Sequence, residues 1–154
     1  MKIAAKILVA IAFVSVVTGC AGLGTKEISV PEDRGYEEVL IQTIGKDGAT
    51  SPDDRTEIKD QKDIKWLMKK ISGYEVEDKD RDTIIEMLEA TREKPGTYTI
   101  AFFPENLNQG YSVVMFEDGT IIYQDKDMQR MTMVSKEKHE ELYEDITHRF
   151  DLEF

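Results

Sequence analysis

The chain holds one cysteine in 154 residues, Cys20. With no second thiol there is no intrachain disulfide framework and no cysteine-based metal site. Histidine is almost as scarce: His139 and His148 are the two, nine positions apart on what the pattern predicts to be one helix. At about 100° per residue they point close to opposite ways, so they cannot share a metal on that helix. Neither stands in a visible arrangement with a nucleophilic serine and an aspartate. Basic residues are outnumbered, 20 against 31 acidic, for a formal charge of −11. That balance argues against nucleic-acid binding through phosphates, which needs clustered Lys and Arg, and against adhesion to anionic lipid through the protein surface. It is compatible with solubility and with attraction of cations. The chain also lacks internal repeats and low-complexity stretches. Its longest apolar run, Ile7 to Val17, is broken by Ser15 and falls short of the roughly 20 residues a membrane span needs.

What is there begins with that run. Lys2 and Lys6 precede it, and Val17-Thr18-Gly19-Cys20 follows it. A positive stretch, a short apolar core and small residues at the end make a secretory signal. The four residues ending in Cys20 resemble the lipobox of bacterial lipoproteins: an aliphatic residue, a small one, Gly or Ala, then Cys. The resemblance implies removal of residues 1–19 as a signal peptide and a diacylglyceryl group on the Cys20 thiol. Two acyl chains hold a protein stably at a membrane where one holds it only marginally. Removing Lys2 and Lys6 leaves 18 basic residues against 31, a formal −13.

Residues 20–36 contain Gly22, Gly24, Pro31 and Gly35 without periodicity and are expected to be the lipidated Cys and a tether, leaving 37–154 as one domain. Within that domain, 38–44 and 56–59 read as strands, with Asp60 or Asp63 capping a helix whose Ile64, Leu67, Met68 and Ile71 share a face. Residues 74–77 form a short extended piece. Asp82, or Thr83 with Glu86 as a capping box, opens a second helix with Ile84, Met87, Leu88 and Thr91 on one side. Strands are expected at 97–103 and 111–116, with Asp118-Gly119 as a two-residue type I′ hairpin and a return at 120–123. Met131 to Val134 is expected as an edge strand. Ser135 is expected to cap a last helix bearing the stripe His139, Leu142, Tyr143, Ile146 and Phe150. The sum is an α+β domain: a mainly antiparallel sheet with helices packed on one face. The strand-then-helix run Thr56 to Ile71 and the hairpin Tyr111 to Tyr123 resemble small lipoprotein domains of Gram-positive bacteria, which implies the same α+β class.

Three sets of residues invite a functional reading. Asp78, Asp80, Asp82, Glu86 and Glu89 stand at positions one, three, five, nine and twelve of an EF-hand spacing, where carboxylates can converge on Ca2+. Thr83 takes the place where such a loop wants Gly, and the competing reading is an acidic loop before a capped helix. Trp66 falls on the polar side of its predicted helix, either covered by another segment or exposed as an aromatic anchor for a partner. Phe103 and Tyr111 flank the Pro104–Gln109 loop and could contribute to an apolar binding patch if they are not core. Met128, Met131 and Met133 offer soft thioethers, or simply fill core. No set of acid, base and nucleophile can be named, so an enzyme has no residues behind it. The expectation is a lipid-anchored protein on the extracytoplasmic face of the cell membrane. Its domain is expected to bind an extracytoplasmic protein or ligand, with calcium binding as the alternative.

Overall fold

The computed structural model describes residues 26–44, 55–91, 96–125 and 130–152. Eight strands form one sheet: β1 (Lys26–Ile28), β2 (Tyr36–Thr43), β3 (Arg55–Ile58), β4 (Tyr74–Asp78), β5 (Tyr98–Pro104), β6 (Tyr111–Met115), β7 (Ile121–Gln124) and β8 (Met131–Ser135). Every pairing is antiparallel, in the order β1-β4-β8-β7-β6-β5-β2-β3. The helices are α1 (Gln61–Lys70), α2 (Arg81–Thr91) and α3 (Glu140–Arg149). The α+β class with an antiparallel sheet is therefore what the chain forms.

Alternation along the strands builds two cores. Val39, Ile41, Ile100, Phe102, Val113 and Tyr123 face one way and are buried beneath Ile64, Leu67 and Ile71 of the α1 region and Leu142, Tyr143 and Ile146 of α3. Their neighbours Val114, Ile122 and Val134 face the other way and are covered by Ile84 of α2, with Met87 and Leu88 beside it. Two helices thus share one face, and α2 seals part of the opposite one. The central strands are buried on both sides for this reason, and Val113 and Val114 are adjacent yet both inside.

Several boundaries differ from expectation, each for a local reason. The domain takes in residues 26–36, which were expected to be tether. Lys26 pairs with Val76 and Ile28 with Tyr74, Val30 is buried, and its N–H donates to Ser72 Oγ at 2.9 Å. A three-residue strand is too short to show alternation. Asp60 is the cap of α1, accepting from the N–H of Lys62 at 2.8 Å and of Asp63 at 3.3 Å. The α2 cap is Asp80, two residues upstream of Asp82: it accepts from the Thr83 N–H at 2.9 Å and the Thr83 hydroxyl at 2.8 Å. Ser135 does not cap α3. It ends β8, and its Oγ accepts from the Ile121 N–H at 3.0 Å. β8 is no edge strand, lying between β4 and β7; the edges are the short, charge-bearing β1 and β3. The Asp118-Gly119 hairpin is not type I′. The Gly119 N–H donates to the Phe116 carbonyl, and only Gly119 has positive φ, as in a three-residue loop closed by a glycine bulge.

Candidate functional site

The structure does not bring the acidic spacing motif together. Asp78 ends β4, only Lys79 and Asp80 intervene, and α2 runs from Arg81, so Asp82, Glu86 and Glu89 all stand on a straight helix. At 1.5 Å per residue, Asp82 and Glu89 are about 10 Å apart along its axis, too far to ligate one ion. Asp80 is committed to the helix cap, and those hydrogen bonds lower its pKa. Among the described residues no group of three or more His, Cys, Asp or Glu side chains is arranged to hold a metal. Asp78, Asp80, Asp82, Glu86 and Glu89, expected to converge on Ca2+, therefore do not take up an EF-hand arrangement: an EF-hand needs its first nine positions to wrap as loop, and capping by Asp80 starts the helix early. The expected result for Asp80→Ala is a loss of about 1 kcal/mol, the usual cost of a missing cap, equal in calcium and in chelator. Urea unfolding in both conditions checks it.

Trp66 is not an exposed anchor. Its ring is half-buried between α1 and the end of α3, with the Arg149 guanidinium 4.4 Å from the ring centroid and Phe150 edge-on at 6.0 Å. Ion pairs Arg149–Asp63 and Lys70–Asp145 brace the same seam. The chain's own last helix occupies the place a partner would take. A single-helix projection could not show this, because the covering residues come from some 80 positions downstream.

Phe103 and Tyr111 flank the loop as expected but point to opposite faces. Tyr111 lies opposite Phe102 in the register, 1% exposed, inside the helix-covered core. Its expected place in a surface patch is corrected, since β6 is inserted between β7 and β5. Phe103 faces the other way. With Leu40 and Ala101 it lies on the second sheet face, half-buried and outside both cores. These three side chains form an apolar strip on β2 and β5 beyond the reach of α2. A charged rim borders the strip: Lys59 is 3.5 Å from Glu38 and 3.3 Å from Glu57, and Arg55 is 3.1 Å from Glu57. An apolar centre with a polar rim is the anatomy of a protein-binding patch. Leu40 reads in the sequence only as part of a strand. Its value comes from facing Ala101 across the β2–β5 pair.

His139 sits in a perturbed environment. Its ring lies 3.9 Å from that of Tyr74, and its buried Nε2 has no hydrogen-bond partner among the described residues. Burial lowers its pKa, with Glu137 opposing. The folded state therefore takes up this proton later than the unfolded chain, whose histidine titrates near 6.5. The contribution of His139 to stability is full above that pH and is lost as pH falls below it. Unfolding measured from pH 7.5 to 5.5 (working values within about one unit of the ordinary histidine pKa) is expected to show a shallower acid-side loss in His139→Gln than in the parent.

No helix among the described residues is long and apolar enough to cross a membrane. Cys20 and Met128 lie outside the described residues. No family model, no curated protein and no solved structure matches this chain.

Proposed function

We propose that this chain is a lipoprotein held at the extracytoplasmic face of the cell membrane through Cys20, and that its domain is a protein-binding module. The partner docks on the half of the second sheet face over the half-buried Leu40, Ala101 and Phe103. The anchor rests on the signal segment and the lipobox-like Val17 to Cys20. The binding reading is carried by one observation: an apolar strip outside both cores, rimmed by Glu38, Arg55, Glu57 and Lys59. A sheet face that served only stability would be covered or uniformly polar.

The test has two parts. Mass spectrometry of the mature chain is expected to show an N-terminal Cys20 bearing diacylglycerol, and a mature chain without that lipid would overturn the anchor. A photo-crosslinking residue at Phe103 is expected to give discrete adducts in cells, whereas one at exposed Glu144 of α3 gives none. Equal yields at both positions, or none at Phe103, would overturn the docking face.

A further inference from the structure

We infer that one end of the sheet, carrying Leu107, Arg81 and Arg130, docks on the phospholipid headgroups of the membrane to which the chain is tethered. The inference rests on the Cys20 anchor proposed above and adds an orientation to it.

The register fixes which end this is. Lys26 pairs with Val76 and Ile28 with Tyr74, so the chain enters the fold at the Asp78 end of β4. Asp78 lies opposite Met133, and Gln124 opposite Met131, so β8 begins and β7 ends there. Phe102 lies opposite Tyr111, which puts the β5–β6 loop at the same end. Lys26 Nζ reaches Asp125 Oδ2 at 3.3 Å and ties the entering chain to the β7–β8 turn. Cys20 and Lys26 are six residues apart in the sequence. At no more than about 3.6 Å per residue, that chain reaches roughly 20 Å. An anchor so short keeps this end nearest the bilayer and leaves the opposite end, with the Gly119 turn, away from it.

The features of this end suit that place. Among the described residues the exposed large hydrophobics are Leu107, 73% exposed, and Ile85, 39% exposed. Leu107 tips the β5–β6 loop, which is held from behind: Arg34 Nη1 donates to the carbonyls of Gln109 at 3.1 Å and Gly110 at 3.2 Å. A braced loop presenting leucine to water is unexplained by the fold, and apolar tips at a membrane surface are favoured by burial into the headgroup boundary. Ile85 lines a cleft of about 660 Å3 with Lys79, Arg81, Ile84, Arg130 and Met131. Lys79 is paired with Glu77 at 2.7 Å. Arg81 and Arg130 form no ion pair among the described residues, in a chain with a large acidic excess. Of the two carboxylates in the cleft, that of Asp80 is taken by the α2 cap, which leaves Asp78. Two guanidiniums without an ion pair among the described residues, beside one carboxylate and aliphatic walls, match a headgroup bearing a phosphodiester and an amine above acyl chain. The overall negative charge opposes general adhesion to anionic lipid, so docking depends on this end alone. The tether offsets the weakness of the contact, because a short linker gives an effective concentration on the order of millimolar.

The experiment uses the full lipidated chain in vesicles of phosphatidylethanolamine and phosphatidylglycerol. Environment-sensitive labels are placed at Leu107→Cys and, at the far end, at Glu117→Cys, with Cys20 blocked by its lipid. The label at 107 is expected to brighten several-fold and to be quenched by nitroxide-bearing lipid, and the label at 117 to do neither. In Arg81→Glu/Arg130→Glu the signal at 107 should fall toward that at 117. Mass spectrometry of Cys20 separates the two ideas. A chain without diacylglycerol overturns the anchor and the docking with it. A lipidated chain whose two labels respond alike overturns the docking alone, and a 107 signal unchanged by charge reversal overturns the role of the arginines.

Discussion

Gly119→Ala is expected to destabilise the domain by roughly 3–5 kcal/mol, at the severe end of single substitutions. Two costs coincide at this position. Its φ is +79°, in the left-handed region where an L-residue with a Cβ loses about 1–2 kcal/mol. A Cβ would also press inside contact distance of the backbone of His139 and Glu140, where α3 starts. The His139 N–H donates to the Gly119 carbonyl at 2.9 Å, so the turn and the helix start are held together and cannot easily part. Gly35 separates the two costs. Its φ is +61°, yet nothing lies within 4 Å of a Cβ built there. Gly35→Ala should lose only the backbone share, about 1 kcal/mol. Asparagine tolerates positive φ, so Gly35→Asn should be nearly neutral, while Gly119→Asn should be almost as damaging as Gly119→Ala. Urea midpoints with unchanged slopes check the set. A mild Gly119→Asn would mean that the α3 contact is not what fixes the turn.

That pair of glycines shows what the sequence can and cannot disclose. Asp118-Gly119 announces a turn, and the strands on either side of it lie where the pattern puts them. The turn type and the need for close approach depend on α3, which sequence spacing does not place. The apolar stripes behaved the same way. Ile64, Leu67 and Ile71 are buried as their periodicity implies, as are Leu142, Tyr143 and Ile146. Periodicity says that a face is buried but not beneath what. It therefore could not show that α2 sits opposite α1 and α3, or that α3 closes over Trp66. The acidic motif was ambiguous for a different reason. A capping aspartate and the ligand at position three of a calcium loop have the same residue type at the same place. The choice between them is made by whether the next residues turn helical, as Arg81 onward do. The strip of Leu40, Ala101 and Phe103 was the least legible feature, because it exists only in the register of β2 against β5.

The proposed surfaces fit one geometry. The strands run from the end where Lys26 enters toward the Gly119 end. A domain standing on its entering end would hold the β2–β5 strip on its flank, parallel to the strands and clear of the bilayer. A partner could then reach it from the side. The chain's net acidic charge favours solubility and repels anionic headgroups, which limits contact with the bilayer to local features.

The rigidity of that platform depends on how the centre of the sheet grips α1, and Tyr123 contributes a hydrogen bond to that grip. It is fully buried on β7, and its hydroxyl donates to the Ile71 carbonyl at the end of α1 at 2.7 Å. That carbonyl belongs to the last turn of a helix, where no backbone donor follows to satisfy it. Tyr123→Phe keeps the ring and removes the donor, so it should cost about 1–3 kcal/mol for a carbonyl buried without a partner. Tyr123→Ala also removes the ring from between Val113 and Met133, its register neighbours, and should cost about 3–5 kcal/mol in total, as for other large-to-small changes in cores. Burial pushes the phenol's pKa well up, so the folded state keeps this proton above pH 10 while the unfolded chain loses it. The tyrosine's contribution is thus full below about pH 10 and falls as pH rises beyond it. Tyr123→Phe should unfold at lower urea than the parent at neutral pH yet lose less on going to alkaline pH. A variant with the parent's midpoint at neutral pH would mean that the hydroxyl contributes nothing to holding α1 on the sheet.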